Sequence, residues 1–189
     1  MGKELSHITL QEMARNYSIQ LRQFVGQHRF LQRFLGDGVD HLALTARDMD
    51  DYLSIEAILS ESTFMIWREW REGRRISTAE LVSPISLPSF GSTPIVVVTE
   101  PKWYEEGPNS NHGLSYAAFY QPDLAGLRKS VRLSKLCQHA VIGETTLALF
   151  SSLGQEVRFT GVRHTDLVVE SIKSGKFCLV AGYPHTRGV

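Results

Sequence analysis

The feature that most restricts the fold lies near the N-terminus. Leu10, Ala14, Tyr17, Leu21, Phe24, His28, Leu31 and Leu35 recur at alternating spacings of four and three. With 3.6 residues per turn, that spacing sets all eight on one face of a helix, and the resulting apolar stripe has to be covered by something. Thr9-Leu10-Gln11-Glu12 has the form of a capping box and predicts the start of this helix. Gly26 weakens its middle by about 1 kcal/mol relative to Ala, which marks a break point. Gly36-Asp37-Gly38 then stops the run. A helix-turn-helix parse would place the turn at Ser18 and a recognition helix over Leu21 to His28. It fits poorly, because no glycine occurs at the turn and the apolar spacing runs straight through it.

Further along, Thr45 and Asp48 signal a second helix reaching about Ser60. Thr63 to Trp70 is aromatic and β-favouring, and Glu72-Gly73 forms a tight-turn signal before Ile76 to Val82, so a β-hairpin is predicted there. A long helix running on through Trp70 is the competing reading. Ile95 to Val98 reads as a buried strand stopped by Pro101, and Ser115 to Tyr120 as another. Asp123 is placed to cap a helix reaching about His139, and Glu144 to Leu153 reads as a further short helix. Val157 and Phe159 alternate with polar neighbours, as a strand requires. Leu167 to Ile172 and Phe177 to Val180 flank Lys173-Ser174-Gly175-Lys176, which reads as a second hairpin.

Helical periodicity thus comes first and strand periodicity mostly afterwards. That order predicts an α+β fold: N-terminal helices followed by a mainly antiparallel β-sheet with one or two further helices. At 189 residues the chain suits one domain, helical over about residues 9–60 and sheet-rich over about 63–182.

Lysine plus arginine number 20 and aspartate plus glutamate number 20, which excludes a wholly cationic coat for nucleic acid or membrane. No apolar run approaches the ~20 residues of a membrane helix, and no basic-then-apolar leader opens the sequence. Cys137 and Cys178 lack paired spacing and read as free, buried thiols, so a reducing, cytoplasmic setting is expected. Neither a phosphate loop nor a dinucleotide glycine fingerprint occurs, no two histidines have metal-site helical spacing, and Cys137 and His139 would diverge on a helix. No cofactor and no metal are expected.

The charges are segregated. Arg15, Arg22 and Arg29 fall seven apart and project in nearly one direction, with Arg33 close by. Arg68, Arg71, Arg74 and Arg75 are interleaved with Trp67 and Trp70. Arg128, Lys129, Arg132 and Lys135 form a third group. Against them stands an acidic block from Asp37 to Glu61. Guanidinium forks match phosphate or carboxylate oxygens, and indole faces stack on bases or on arginine. The pattern is therefore read first as a non-enzymatic accessory or regulatory protein that binds nucleic acid or an acidic partner through these Arg/Trp surfaces.

Two other readings stand beside it. A small-molecule enzyme would use the polar loop from Asn109 through Asn111 to His112 together with His164 and Asp166, where the carboxylate would orient the imidazole, or the basic hairpin for an anionic substrate. A homodimeric scaffold would pair the Leu10 to Leu35 face between chains.

Overall fold

The structure is a computed structural model that describes residues 7–71, 73–100, 113–136, 140–152, 154–175 and 177–181. The Asn109 to His112 loop, Cys137 and His139 lie outside the described residues. The architecture is α+β. Among the described residues, nine strands form one mixed sheet, with helices gathered mainly on one face.

The first helix, α1 (His7–Gln27), runs unbroken through Ser18, whose hydroxyl donates back to the Arg15 carbonyl at 2.8 Å, so no helix-turn-helix forms. Thr9 lies inside the helix and does not open it as a capping residue. The helix ends just past Gly26, and a 3₁₀ segment (Arg29–Phe34) carries the apolar stripe onward. Leu10, Ala14, Leu21, Phe24 and Leu31 are buried against the sheet, so the stripe that could have paired two chains is consumed within one.

Strand β1 (Val39–Thr45) follows inside the part of the chain predicted to be helical. Asp48 caps α2 (Met49–Ser60) by accepting from the Asp51 amide. The predicted hairpin is present as β2 (Thr63–Arg71) and β3 (Arg74–Leu87), and Gly73 sits in its turn with φ of 76°. That left-handed value favours glycine. After β4 (Gly91–Thr99) and β5 (Gly113–Tyr120), Asp123 caps α3 (Leu124–Leu133) through the Gly126 amide at 2.9 Å.

Two predicted elements change type. Glu144 to Leu153 is not a helix but holds β7 (Thr146–Phe150), which pairs with the short β6 (Ala140–Ile142) and with β8 (Glu156–Thr160). Leu147, Ala148 and Leu149 are good helix formers, yet the sheet pairing overrides that preference. Leu167 to Ile172 is not a strand but part of α4 (His164–Lys173). The run that follows it is a helix-to-strand connection into β9 (Phe177–Ala181), where Cys178 lies.

The strand order is β6-β7-β8-β5-β1-β4-β3-β2-β9. Only β1–β4 and β5–β8 pair in parallel among the described strands. One face is packed by α1, the 3₁₀ segment, α2 and α3 over Leu42, Leu44, Val96, Val98, Phe119 and Phe159. On the opposite face lie His41, Val97, Ala118 and Thr78, as the two-residue side-chain period requires. There α4 leaves β8 and returns the chain to β9 beyond β2, so it straps across the sheet. Near the start of β1, Gly38 meets Gly91 of β4. A Cβ on Gly38 would fall 2.7 Å from the Phe90 carbonyl oxygen, so glycine is what lets these backbones touch.

A cationic cleft on the strapped face

Between α4 and the sheet lies a cleft of about 310 Å³. Its floor is hollow because small or short residues face it from the central strands, among them Val97 and Ala118. Ile76 and Leu167 add an apolar wall. The remaining lining is polar, and it comes from strands far apart in sequence.

The hairpin supplies Arg71 and Arg74, which stand directly opposite each other in the β2–β3 register and so project from one face. Arg71 is half-exposed and pairs with Glu69. Arg74 is more covered, and its Nε is buried without a hydrogen-bond partner among the described residues. Strand β8 supplies Arg158, which pairs with Glu156, lies 3.9 Å over the Tyr116 ring and donates from Nη1 to the Tyr116 hydroxyl at 3.2 Å. Burial raises the Tyr116 pKa despite the nearby positive charge of Arg158, so the phenol keeps its proton. Its oxygen receives from Arg158, and its own O–H is left to donate.

The two histidines of the cleft are held differently. A register shift between Val39 and His41 in the β1–β5 pairing bends the strand and brings adjacent Asp40 and His41 into contact. His41 Nδ1 lies 2.9 Å from Asp40 Oδ2, and the same carboxylate oxygen accepts from the His164 backbone N–H at 3.1 Å. Burial would raise the Asp40 pKa. The His41 hydrogen bond and charge, followed by the His164 N–H, outweigh burial and hold it below the usual range. With Nδ1 engaged, Nε2 is the remaining ring nitrogen of His41, a residue that lines the cleft. His164 opens α4, and its Nε2 sits 2.8 Å from Thr78 Oγ1. Burial, reinforced by the positive charges of His41 and Arg71, pushes its pKa down to about 3. It is a neutral ring.

Of the residues singled out in the sequence, Arg71, Arg74 and His164 meet in this cleft. Asp166 does not orient His164. It is exposed on the first turn of α4, and Asp40 is the carboxylate at that site. Trp67 is half-buried on the same sheet face, next to Thr78 in the register. Arg68 points to the other face and pairs with Glu56 of α2, while Arg75 pairs with Glu100 at 3.9 Å and lies 5.2 Å over the exposed ring of Trp70. Arg15, Arg22 and Arg29 are exposed on the helical side of the sheet. There Arg33 donates to Ser130 Oγ at 2.8 Å and brings the 3₁₀ segment beside α3, where Lys129 and Arg132 are exposed. Arg128 is tied to the Gly143 and Glu144 carbonyls.

Asp40, His41, Tyr116 and Arg158 escaped sequence reasoning. The alternation of Glu156, Arg158 and Thr160 was a signal for a charged strand face, but nothing local tells which face closes into a cleft. Among the described residues, no three His, Cys, Asp or Glu side chains gather as a metal ion would need, and no helix is long and apolar enough to cross a membrane.

No family model matches the chain, and no curated protein matches it. Nine chains of solved structures do. One of them, described as Structural Genomics, Protein EC4020, is 16% identical and superimposes with a TM-score of 0.57, over 82% of this chain and 91% of that one. At that identity the likeness is one of fold alone.

Proposed function

We propose that the protein binds a small organic anion in the strapped cleft. The observation that carries this reading is the buried, unpartnered Nε of Arg74, beside two further guanidinium groups in a concave site. A covered donor without an acceptor is disfavoured by about 1–3 kcal/mol, and an anionic oxygen would relieve it. Arg71 and Arg158 already have carboxylates, so Arg74 is the principal anion holder and the others shape the field. A volume of about 310 Å³ lies at the small end of ligand sites and suits a metabolite-sized molecule. Calorimetric titration with citrate, 2-oxoglutarate, benzoate and inorganic phosphate tests this. At least one should bind, and Arg74→Ala should weaken it tenfold or more while Arg132→Ala leaves it unchanged. Equal loss in both variants, or no binding in any titration, would reject the cleft.

A second reading keeps a nucleic-acid or acidic-protein partner, now on the helical side. The Arg33–Ser130 contact favours it, because it joins two basic segments that contain no acidic residue and stand beside Leu133, 81% exposed. Phosphate binding there should fall steeply with added salt. Failure of single-stranded and duplex oligonucleotides to bind at low salt would dismiss it. The cytoplasm is the proposed compartment, on the strength of two cysteines without paired spacing.

A further inference from the structure

The cleft holds more than an anion site needs. Asp40 and His41 form a carboxylate–imidazole pair in which Nδ1 is engaged by the carboxylate, and His41 lines the cavity. Beside His41 on the paired strand β5, in edge contact with 6.1 Å between ring centroids, stands Tyr116, a neutral phenol whose oxygen is already loaded by Arg158. One group is arranged to accept a proton and the other to donate a hydrogen bond to a developing oxyanion. A guanidinium nearby can hold a carboxylate. A binding pocket for a carboxylate alone has no use for the base and the phenol together.

We propose that the protein catalyses proton transfer on a small oxo acid, with His41 as the base, Tyr116 as the oxyanion donor and Arg74 as the carboxylate holder. This rests on the anion-binding reading above. In the step, a C–H bond next to the substrate carbonyl breaks and its proton passes to His41 Nε2. The electron pair of that bond becomes the C=C bond of an enolate, and the carbonyl π pair moves onto oxygen, which takes the hydrogen bond from Tyr116. Return of the proton from His41 to a carbon restores the neutral imidazole, so the cycle balances without oxidant, reductant or co-reactant. Asp40 touches no reacting atom in this scheme. It is a positioning residue that keeps Nδ1 protonated and Nε2 free, and it stabilises the imidazolium formed. The small volume limits the substrate to a short-chain oxo acid.

The test uses the full chain with 2-oxoglutarate and 2-oxobutyrate in D₂O, following loss of the C3 proton signals by NMR, with binding measured in parallel by calorimetry. Exchange faster than in buffer is expected for at least one of them. His41→Ala should slow the enhancement by about 100-fold or more while binding persists, and Tyr116→Phe should slow it by about 10-fold or more. Asp40→Asn should slow exchange by about 10-fold or more while calorimetric binding of the oxo acid stays unchanged, a split between rate and affinity that general structural damage would not give. The other groups facing His41 are unchanged in that variant: His164 from α4, Tyr116 and Arg158 from β5 and β8, and Arg71 and Arg74 from the hairpin. Thermal melts verify folding, and His41→Gln, of nearly the same volume, gives a second variant if His41→Ala unfolds. Binding without exchange overturns the catalytic proposal and leaves the binding one standing. Exchange that survives both His41 variants also overturns it. If neither compound binds or exchanges, the catalytic proposal falls, and the binding proposal falls with it only if citrate, benzoate and phosphate also fail to bind.

Discussion

The imidazoles of His41 and His164 lie 4.7 Å apart, but one ring rests on the Asp40 carboxylate and the other on the Thr78 hydroxyl. The first is held in orientation by that carboxylate, and the second is kept uncharged by burial and by the positive charges around it. The difference has a consequence for stability. In the unfolded chain His164 takes a proton near its ordinary value of 6.5, whereas in the folded chain it does so only near 3. Between those values the unfolded state holds more protons, so stability present above pH 6.5 is lost as the pH falls toward 3. The expected slope from this residue is up to about 1.4 kcal/mol per pH unit. Urea unfolding of wild type beside His164→Gln, at pH 7 and at pH 5, should show the wild type losing about 1–2 kcal/mol more than the variant. Parallel losses would mean that His164 is not the titrating group.

The helical face carries a buried polar cluster that can be probed independently of the cleft. Glu56 of α2 accepts from Tyr52, Ser77 and Arg68, and its side chain is nearly buried. Glu56→Ala leaves the Arg68 guanidinium without its carboxylate and takes an acceptor from the Tyr52–Ser77 hydroxyl pair, whose members still bond each other. Because Arg68 retains some solvent contact, the expected loss is about 2–4 kcal/mol, toward the lower end for a broken buried pair. A double-mutant cycle with Arg68→Met in denaturant melts should return a coupling of at least about 1 kcal/mol. An additive result would show that the pair is not coupled.

Phe119 is fully buried between Phe90 and Phe159, with ring centroids 6.1 and 5.9 Å away. Its truncation to alanine should lower stability by about 3–5 kcal/mol. Since its neighbour Ala118 forms cleft floor on the other side of β5, the same change should also loosen ligand binding. Equilibrium unfolding and calorimetry on one sample measure both effects.

Gly73 sets the geometry of the anion site without touching it. With φ of 76° and Arg71 and Arg74 on either side of the turn, Gly73→Val places a β-branched side chain in the left-handed region. A stability loss of about 1–3 kcal/mol is expected, together with weaker anion binding from a displaced Arg74. A variant with wild-type affinity would show that the turn does not govern the site.

The sequence made some of this legible and hid the rest for physical reasons. The stripe from Leu10 to Leu31 is long and periodic, so α1 and its break near Gly26 could be read from it. The Gly73 hairpin was legible because turn chemistry is local. Strand β1 was not, because Asp40, His41 and Ala43 give no β-favouring signal and are placed there by the site and by pairing with β4 and β5. In α4, Val168 and Val169 suggested a strand, whereas His164, Leu167 and Val168 recur at helical spacing on its inner side. The arginines were correctly conspicuous, but clustering along the chain is a poor guide to clustering in space. Arg71 and Arg74 found Arg158, while Arg68, three residues before Arg71, and Arg75, one after Arg74, turned to the other face because side chains alternate along a strand.

Among the described strands, the β1–β5 ladder, with its two register shifts, is the only seam joining β6, β7, β8 and β5 to the other five. His41 and Arg74 belong to one half, Tyr116 and Arg158 to the other. A molecule gripped by both halves would act as a rivet across that seam. Its arrival would be registered in the backbone, where amide protons of β1 and β5 would exchange with solvent more slowly.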